Sequence, residues 1–291
     1  MSHNKHVEDG FNIDVGMMQP DEAKNYYLDL AADWEDPNPE PRIVMHEGIR
    51  VVRDDDLVGS KVRGGDCLMS SIKEDTIVYV QPRTGLAGLS ILDVAKRHNK
   101  SVKLFMPSSK IISHHQACCI ERGAETSFHR IAAMPNLNLI AKKWASENSN
   151  TFFIPLGLKH KLVTAGMVKV ASKIKEPDVV YVATSTGVLT RSLQIAWPNA
   201  EFVSVAVSRN MKAGELGRAK VISEARAFTA SEKQENLPPF PNIATYDGKV
   251  WKFIPKYSGK DILFWNVGKE PVLRDETLYE TESYRDWDKN L

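Results

Sequence analysis

From Arg42 onwards, short runs of apolar and β-branched residues alternate with longer stretches of helical periodicity. Several of the short runs are apolar on successive residues, as expected of strands that are covered on both faces. Alternation of this kind is typical of a parallel sheet joined by crossover helices. The predicted strands are Ile49–Arg53, Thr76–Val80, Val102–Met106, Thr151–Ile154, Val179–Ala183, Phe202–Val207 and Ile262–Trp265. The predicted helices are Leu86–His98, Lys110–Arg122, Asn138–Asn148, His160–Lys175 and Val188–Ala196.

Residues 1–41 do not follow this pattern. They are polar and acidic and end in DWEDPNPEP, where three prolines disfavour both helix and strand. One short helix is predicted near Asp21–Ala32. We expect an N-terminal arm that packs on the body of the protein or on a second subunit. A second irregular segment, Ala227–Tyr246, is predicted to be a long exposed loop.

Composition narrows the class of protein. A chain of 291 residues with 42% apolar content can form one large domain or two modest lobes. Its 38 basic and 37 acidic residues give a net charge of +1. A net charge this small does not indicate binding to nucleic acid or membranes through an overall positive charge. The first residues, MSHNKHVEDGFNIDVG, lack the apolar region of a signal peptide. No apolar run approaches the roughly 20 residues of a membrane helix.

The cysteines favour a reducing compartment. Cys67, Cys118 and Cys119 form no C-x-x-C pair, so neither a structural zinc site nor a thioredoxin motif is indicated. We expect reduced thiols in a cytoplasmic protein with no metal site.

One lysine stands where it could carry chemistry. In VRDDDLVGSKVRGG a strand ends in acidic residues, turns at Gly59 and presents Lys61 at the start of the next element. Beside a helix N-terminus in a partly dry cleft, the ammonium form is disfavoured and the pKa falls. The neutral amine can then attack an aldehyde. The alternative is an ordinary surface lysine.

Two turns are candidates for anion binding. The strand VVYVA runs into the hydroxyl-rich turn Thr184–Val188, and a helix follows. Backbone N–H groups and hydroxyls at such a helix start suit a phosphate, although an ordinary turn with a Ser or Thr cap has the same pattern. By the same reasoning the turn Thr84–Gly88 could bind a carboxylate, and a tight structural turn is its alternative.

A fourth signal lies at the end of the last predicted strand. The run DILFWNVG delivers Asn266 and Gly268 at the carboxyl end of Ile262–Trp265. Ligands of open α/β sheets bind at the carboxyl ends of strands. The alternative is a strand that simply ends in a turn.

Taken in order, these four signals resemble one superfamily, the fold-type-II pyridoxal-phosphate enzymes related to tryptophan synthase β. The run RDDDL-VGSKVRGG is similar to the RDDL…GGNKxRK segment of 1-aminocyclopropane-1-carboxylate deaminases and D-cysteine desulfhydrases, in which the lysine forms the Schiff base with the cofactor. The run TGLAGLSILDVAKRHNKSVKLFMP resembles the small-domain pattern of the superfamily. The resemblance extends over residues 42–275.

The resemblance implies an α/β fold of two lobes, with mainly parallel sheets flanked by helices. The small lobe would be 66–150, and the large lobe 42–65 with 151–291. It implies pyridoxal 5'-phosphate as cofactor and catalytic roles for Lys61 and Thr84. It assigns substrate binding to Thr84 and Gly85, and the guanidinium of Arg83 beside this turn could bind a carboxylate bidentately. The residues it assigns to the cofactor are Lys61, Thr184, Ser185, Thr186, Gly187, Val188 and Asn266.

The chain departs from the superfamily at three of these places. Leu86 stands where an Asn usually contacts the phenolic oxygen of the cofactor. The phosphate turn keeps Gly187 of the usual three glycines. Asn266 and Val267 stand where a Thr usually meets the pyridine nitrogen. These departures are consistent with an unusual substrate, or with a protein that keeps only the fold.

The expected function is that of a pyridoxal-phosphate-dependent lyase or deaminase acting on an amino acid or amino-acid-like amine. Elimination, deamination or decarboxylation would proceed through an aldimine on Lys61, and the sequence leaves the choice open. One alternative substrate is an amino acid tethered to a nucleotide or nucleic acid. The other alternative is a non-catalytic binding or scaffold protein. The resemblance also implies a homodimer.

Overall fold

The computed structural model describes residues 19–130, 133–211 and 214–283. Residues 1–18 of the predicted arm, which include the whole of the run MSHNKHVEDGFNIDVG, lie outside the described residues. The strands are β1 (Ile43–His46), β2 (Ile49–Arg53), β3 (Thr76–Val80), β4 (Ser101–Pro107), β5 (Glu125–His129), β6 (Thr151–Phe153), β7 (Val179–Thr184), β8 (Glu201–Ala206), β9 (Lys220–Ser223) and β10 (Ile262–Asn266). The α-helices are α1 (Pro20–Leu30), α2 (Lys61–Met69), α3 (Ala87–Arg97), α4 (His114–Glu121), α5 (Met134–Glu147), α6 (Lys161–Ser172) and α7 (Val188–Ala196).

The chain divides into two compact units. The large unit contains the described residues up to Leu68 together with Lys159–Glu270. Its six strands lie in the order β1-β2-β10-β7-β8-β9, and all neighbours are parallel except β1 and β2. Every residue of β7 and β10 is buried, as the continuous apolar runs predicted. Crossover connections place helices or loops on both faces of a parallel sheet, so its central strands are apolar on both sides.

One face of the large sheet is covered by a segment that the sequence predicted to be an exposed loop. Phe240 and Trp251 are 7% and 5% exposed, and both rings contact the ring of Phe264 on β10. Glu232 is also buried and pairs with Lys252, with 2.6 Å between the carboxylate and the ammonium. The segment Ala227–Tyr246 has no helix or strand beyond one 3-10 turn, as predicted, but it is buried at Glu232, Pro238, Phe240 and Ile243, so it is exposed only in part. Aromatic anchors hold this segment on apolar surface that would otherwise meet water.

The described part of the arm packs on the body of the protein. Helix α1 contacts α6 and α7, and it buries Ala23 and Tyr27 completely. At its end, the Lys169 ammonium donates to the carbonyl oxygens of Ala31 and Ala32, at 3.0 and 3.1 Å. Both carbonyls follow the last residue of α1, so Lys169 holds the chain that leaves the helix against α6.

The small unit contains Met69–Leu158 and the described residues from Pro271 onwards. Its sheet has the order β5-β4-β3-β6, with all neighbours parallel. Strand β6 pairs with β3, Thr76 lying opposite Thr151, so it belongs to this sheet and not to the large lobe in which the sequence placed it. The segment from Pro271 to Ser283 joins the same unit, since His114 hydrogen-bonds to the Tyr279 hydroxyl and the Pro271 carbonyl oxygen at 2.8 and 2.7 Å. No helix in the described parts of the chain is long and apolar enough to span a membrane.

Candidate functional site

The candidate site lies at the carboxyl edge of the large sheet. There β2, β10 and β7 are neighbours, and each delivers polar residues where it ends. A short 3-10 turn, Asp54–Asp56, follows β2, and α2 begins at Lys61. The backbone N–H of Ser60 donates to the Val267 carbonyl oxygen at 2.8 Å. This bond fixes the residue before Lys61 to the chain leaving β10.

Lys61 is partly buried, and its ammonium has no hydrogen bond or ion pair with any of the residues that the structure describes. Burial lowers its pKa, and no neighbouring carboxylate opposes the shift. An ordinary surface lysine keeps its usual pKa because water solvates the charge. The surroundings of Lys61 therefore favour a nucleophilic amine over a solvated surface lysine.

The acidic residues before Lys61 form a buried network. The Arg63 guanidinium donates to Asp54 Oδ1 from Nε and Nη2, at 3.0 and 2.8 Å. Trp265 Nε1 donates to the other carboxylate oxygen of Asp54 at 2.8 Å. The third nitrogen of Arg63, Nη1, donates to Asp36 Oδ2 at 2.6 Å. Asp54 thus joins the end of β2 to the first turn of α2 and to β10, which positions Lys61.

Asp55 makes a second link across the same strands. Its carboxylate accepts from Nε and Nη2 of Arg53, at 2.6 and 2.7 Å. It also accepts from Asn266 Nδ2 at 2.9 Å. Burial alone would raise the pKa of Asp55, but the Arg53 hydrogen bonds and charge hold it below its usual value. Asp55 is therefore an ionised acceptor at the end of β10.

The turn Thr184–Val188 connects β7 to α7. Gly187 has a φ of 82°, a left-handed conformation that glycine adopts without strain, and no side chain caps the helix. This contradicts the alternative of a Ser or Thr cap. Ser208 donates to Ser185 Oγ at 2.9 Å, which leaves the Ser185 hydroxyl hydrogen available to a ligand. The uncapped N–H groups of α7 and this hydroxyl form an arrangement suited to an anion.

Thr186 offers the sharper mutational test of this turn. A Cβ at Gly187 would lie 2.8 Å from Leu216 Cδ2, so a substitution there strains the fold whatever it does to a ligand. Thr186 is half-buried with an ordinary backbone conformation. We expect Thr186→Asp to weaken pyridoxal phosphate binding at least about tenfold, equivalent to about 1.4 kcal/mol, because a carboxylate repels the phosphate.

The matched control is Thr186→Asn, which has nearly the same shape as Thr186→Asp and no charge. Fluorescence titration with the cofactor would measure both affinities. Equal affinities in the two variants would argue against a phosphate at this turn.

Arg83, Thr84 and Gly85 belong to the small unit. Arg83 is exposed and donates to the Ile111 carbonyl oxygen at 3.3 Å. The turn is closed by Gln81, whose Oε1 accepts from the Gly88 N–H at 2.8 Å and whose Nε2 donates to the Gly85 carbonyl oxygen at 3.0 Å. One N–H that could bind a carboxylate is therefore already used. The geometry supports the tight structural turn, and the substrate role of Arg83, Thr84 and Gly85 stays a prediction.

Two residues at the site were not found from the sequence. The Tyr246 hydroxyl donates to the Ala183 carbonyl oxygen at 3.4 Å, at the end of β7. The buried Asp247 accepts from the Val267 N–H at 2.9 Å, next to β10. Burial raises the pKa of Asp247 to about 7. Both lie in or beside the segment predicted to be an exposed loop. The signal that could have indicated them is the run YDGKVW, in which an acidic residue stands among aromatic and apolar ones.

The raised pKa of Asp247 predicts a pH dependence of stability. Between about pH 4 and 7 the native protein keeps a proton that the unfolded chain releases, since an unfolded Asp has a pKa near ~3.9. The free energy of unfolding should therefore fall as the pH rises through this window, by about 2–4 kcal/mol relative to Asp247→Asn, and level off above it. Urea unfolding of both proteins from pH 4 to 8 would measure the difference. Parallel curves would contradict the shift.

The described residues contain no group of three or more His, Cys, Asp or Glu side chains able to hold a metal ion. No protein-family model matches the chain, and no curated protein matches its sequence.

Solved structures do match the fold. An ACC deaminase homologue superposes with a TM-score of 0.67 at 18% identity, over 83% of this chain and 94% of that one. Threonine deaminase isoform 2 from Solanum lycopersicum gives 0.65 at 14% identity, over 92% and 95% of the two chains. Escherichia coli diaminopropionate ammonia lyase gives 0.60 at 10% identity, over 90% and 92%. The chain has the fold of these enzymes, and the two-lobed α/β architecture implied by the sequence resemblance is confirmed.

Proposed function

We propose that the protein is a pyridoxal-phosphate-dependent enzyme that acts on an amino acid or amino-acid-like amine. The observation that carries the proposal is the state of Lys61. This amine is partly buried, unpaired among the described residues and fixed beside the end of β10. Burying an unpaired amine destabilises the folded protein, but the lowered pKa favours the neutral amine that attacks an aldehyde.

The residues of the large unit fit the cofactor. The uncapped α7 terminus at Gly187 offers N–H donors to a phosphate. Asn266, at the end of β10, is the residue that the sequence resemblance assigns to the cofactor ring. Together, Lys61 and this helix terminus offer an amine for the aldehyde and donors for the phosphate. When bound, the cofactor supplies an electron-accepting ring that stabilises negative charge on the substrate.

The chain's own residues have separate tasks in this mechanism. Lys61 provides the amine that attaches the cofactor and that can move a proton at the substrate carbon. Arg63 and Asp54 fix the helix turn that carries Lys61. The Thr184–Val188 turn would hold the phosphate, and the buried ends of β7 and β10 would exclude water from that side.

The reaction class remains a deamination, elimination or decarboxylation. Among proteins of similar fold are threonine deaminases and an ammonia lyase, and also the serine racemase of maize, with a TM-score of 0.60 at 12% identity. All of these names concern amino acids. They support an amino-acid-like substrate for this chain.

The test of the proposal is covalent trapping. Protein incubated with pyridoxal phosphate is reduced with borohydride, and its peptides are mapped by mass spectrometry. We expect a pyridoxyl group on Lys61 and no adduct in Lys61→Ala. An adduct on another lysine would reject the assignment of Lys61, and no adduct at all would favour the scaffold alternative.

Free 1-aminocyclopropane-1-carboxylate and D-cysteine are expected to be poor substrates. Their carboxylate must lose its water shell, and a charge-assisted hydrogen bond that replaces the water contributes about 1.5–3 kcal/mol. At the turn predicted to supply such bonds, Gln81 already occupies the Gly88 N–H, and Leu86 offers no polar group. Assays of cofactor-loaded protein would measure ammonia, keto acid, sulfide and carbon dioxide.

Rapid turnover of either compound would contradict this expectation and would point to Arg83 as the carboxylate ligand. Silence across a panel of free amino acids, with the Lys61 adduct intact, would favour an amine attached to a larger molecule.

We also propose a cytoplasmic homodimer. The three cysteines are free and buried, which is consistent with a reducing compartment. Homodimers are the common assembly in the superfamily that the sequence resembles. Sedimentation equilibrium at micromolar concentration would measure the mass, and a single species of 32.6 kDa would reject the dimer.

A further inference from the structure

Strand β1 lies at one edge of the large sheet. It pairs antiparallel with β2, and among the described strands it has no neighbour on its other side. An edge of this kind presents backbone N–H and C=O groups that can pair with another chain. Many proteins protect such an edge with a lysine or a proline within the strand. The four residues of β1, Ile43–His46, include neither.

The register of β1 on β2 shows which backbone groups point outwards. The Arg53 N–H, on β2, donates to the Arg42 carbonyl oxygen at 2.8 Å. In an antiparallel pair, residues that bond to the neighbouring strand alternate with residues whose backbone groups point away from it. Val44 therefore bonds to β2 as Arg42 does, whereas the N–H and C=O groups of Ile43 and Met45 point to the free edge.

The side chains of the same two residues are apolar and exposed. Ile43 is 39% exposed and Met45 is 60% exposed. They are two positions apart in a strand, so they lie on the same face of the sheet. On the opposite face, the ring of His46 packs on the ring of Phe240, with 4.7 Å between the centroids. The edge thus combines unpaired backbone groups with apolar side chains that meet water.

A second copy of β1 fits this edge in one register. Around a two-fold axis, Ile43 lies opposite Met45 of the second copy and Val44 lies opposite its own counterpart, which gives four backbone hydrogen bonds. A shift of two residues in one direction would place Pro41, which has no N–H, opposite Met45. A shift in the other direction would place Glu47 opposite Ile43, but Glu47 has a φ of 50° and belongs to the turn.

The two ends of the edge carry complementary charges. Glu47, at the turn, pairs with Lys256 at 3.5 Å, and Arg42, at the other end, pairs with Asp56 at 2.6 Å. All four side chains are partly exposed and open to further partners. Antiparallel pairing brings Glu47 of one copy beside Arg42 of the other, an acidic residue beside a basic one. Such an arrangement favours a second copy of this chain as the occupant.

We propose that two copies of the protein associate through the free edges of their β1 strands, so that the two large sheets form one continuous sheet across a two-fold axis. The backbone groups of Ile43 and Met45 would supply the hydrogen bonds, and their side chains would form two apolar cross-strand pairs. This inference rests on the homodimer proposed above and names the surface that forms it.

A disulfide cross-link tests the register. Val44 lies opposite Val44 of the second copy in a pair without hydrogen bonds, where the Cα atoms are about 4.5 Å apart. This separation permits a disulfide. We expect Val44→Cys to form a covalent dimer when oxidised with copper phenanthroline. The matched control is Ile43→Cys, which lies opposite Met45 and not opposite itself, and which should remain mostly uncross-linked. Equal cross-linking of the two variants, or none in either, would overturn the proposal.

Charged pairs test the same contact in solution by sedimentation equilibrium. The double variant Ile43→Lys with Met45→Lys places like charges opposite each other at both cross-strand pairs, which is unfavourable. The double variant Ile43→Lys with Met45→Glu places opposite charges there and serves as the matched control. We expect the dimer of the first variant to dissociate at least about tenfold more readily than that of the second, and the difference to shrink at high salt.

Equal dimer affinities of the two double variants would mean that another surface forms the dimer, and would overturn the inference. A single species of 32.6 kDa in the unsubstituted protein would reject the homodimer and this inference with it. If the variant with two lysines does not fold, the cross-linking comparison decides the question alone. Borohydride trapping at Lys61 tests cofactor binding separately, so a failed interface leaves that part of the proposed function standing.

Discussion

Replacement of Arg63 by methionine is expected to lower the free energy of unfolding by about 3–5 kcal/mol. Arg63 is 2% exposed and Asp54 is completely buried, and the two are joined at 2.8 Å. Methionine fills much of the same volume but leaves the Asp54 carboxylate with only the Trp265 N–H as a partner. A buried charge without its counter-ion is strongly unfavourable in a medium that water does not reach. Urea unfolding monitored by tryptophan fluorescence would measure the loss.

A matched control is the ion pair of Asp56, which lies two residues after Asp54. Arg42 forms an ion pair with Asp56 at 2.6 Å, but the side chains are 49% and 53% exposed. Water solvates both charges there, so Arg42→Met should cost no more than about 1 kcal/mol. The penalty of Arg63→Met should also shrink in acid, where Asp54 takes up a proton. Similar losses for the two variants would mean that the Arg63–Asp54 pair is not isolated from solvent.

The fold was predicted best where the signal is local and strong. Strands β7 and β10 are covered on both faces, and such cover produces the continuous apolar runs that were recognised. Strands β1, β5 and β9 were missed, and each lies at the edge of a sheet. An edge strand buries less of each residue, so runs such as ETSFH and KVIS carry polar side chains and a weak pattern.

The boundary between the units could not be read from periodicity. Strand β6 has only three residues, all partly exposed, and its place is decided by pairing with β3 across 75 residues of sequence. The helix α2 was recognised only as an element that begins at Lys61, because it contains the helix-disfavouring pair Gly64 and Gly65. Gly64 is required there, since a Cβ would lie 2.4 Å from the Val163 carbonyl oxygen.

The site was predictable in its parts and not in its connections. Lys61 and the Thr184–Val188 turn were found because each is defined by a few consecutive residues. The links of Asp54 to Trp265 and of Asp55 to Asn266 each join residues 211 positions apart. The sequence offers no signal for such a pair until the strand order is known. The sequence therefore shows the acidic run after β2 but not that Asp54 and Asp55 bind residues of β10.

Replacement of Lys61 by methionine is expected to stabilise the protein in the absence of any ligand, by about 1–3 kcal/mol at pH 7. The ammonium is partly buried without a partner in the described structure, and methionine removes the charge while keeping an unbranched side chain. The pKa of Lys61 is lower in the folded protein than in the unfolded chain, where it is near ~10.4. The unfolded chain therefore binds more protons, and the stability of the unsubstituted protein should rise with pH towards that value.

The advantage of Lys61→Met should consequently shrink as the pH rises, and this pH dependence separates the charge from a packing effect. Lys175→Met, at an exposed position of the same unit, should change the free energy of unfolding by less than about 0.5 kcal/mol at any pH. Urea unfolding of the three proteins from pH 6 to 10 would give the curves. If Lys61→Met were less stable than the unsubstituted protein, or more stable by an amount that does not change with pH, Lys61 would have to be solvated or paired. A gain that fades with pH would show that the chain keeps an amine at this place against its own stability, as expected of a residue retained for reaction with a ligand.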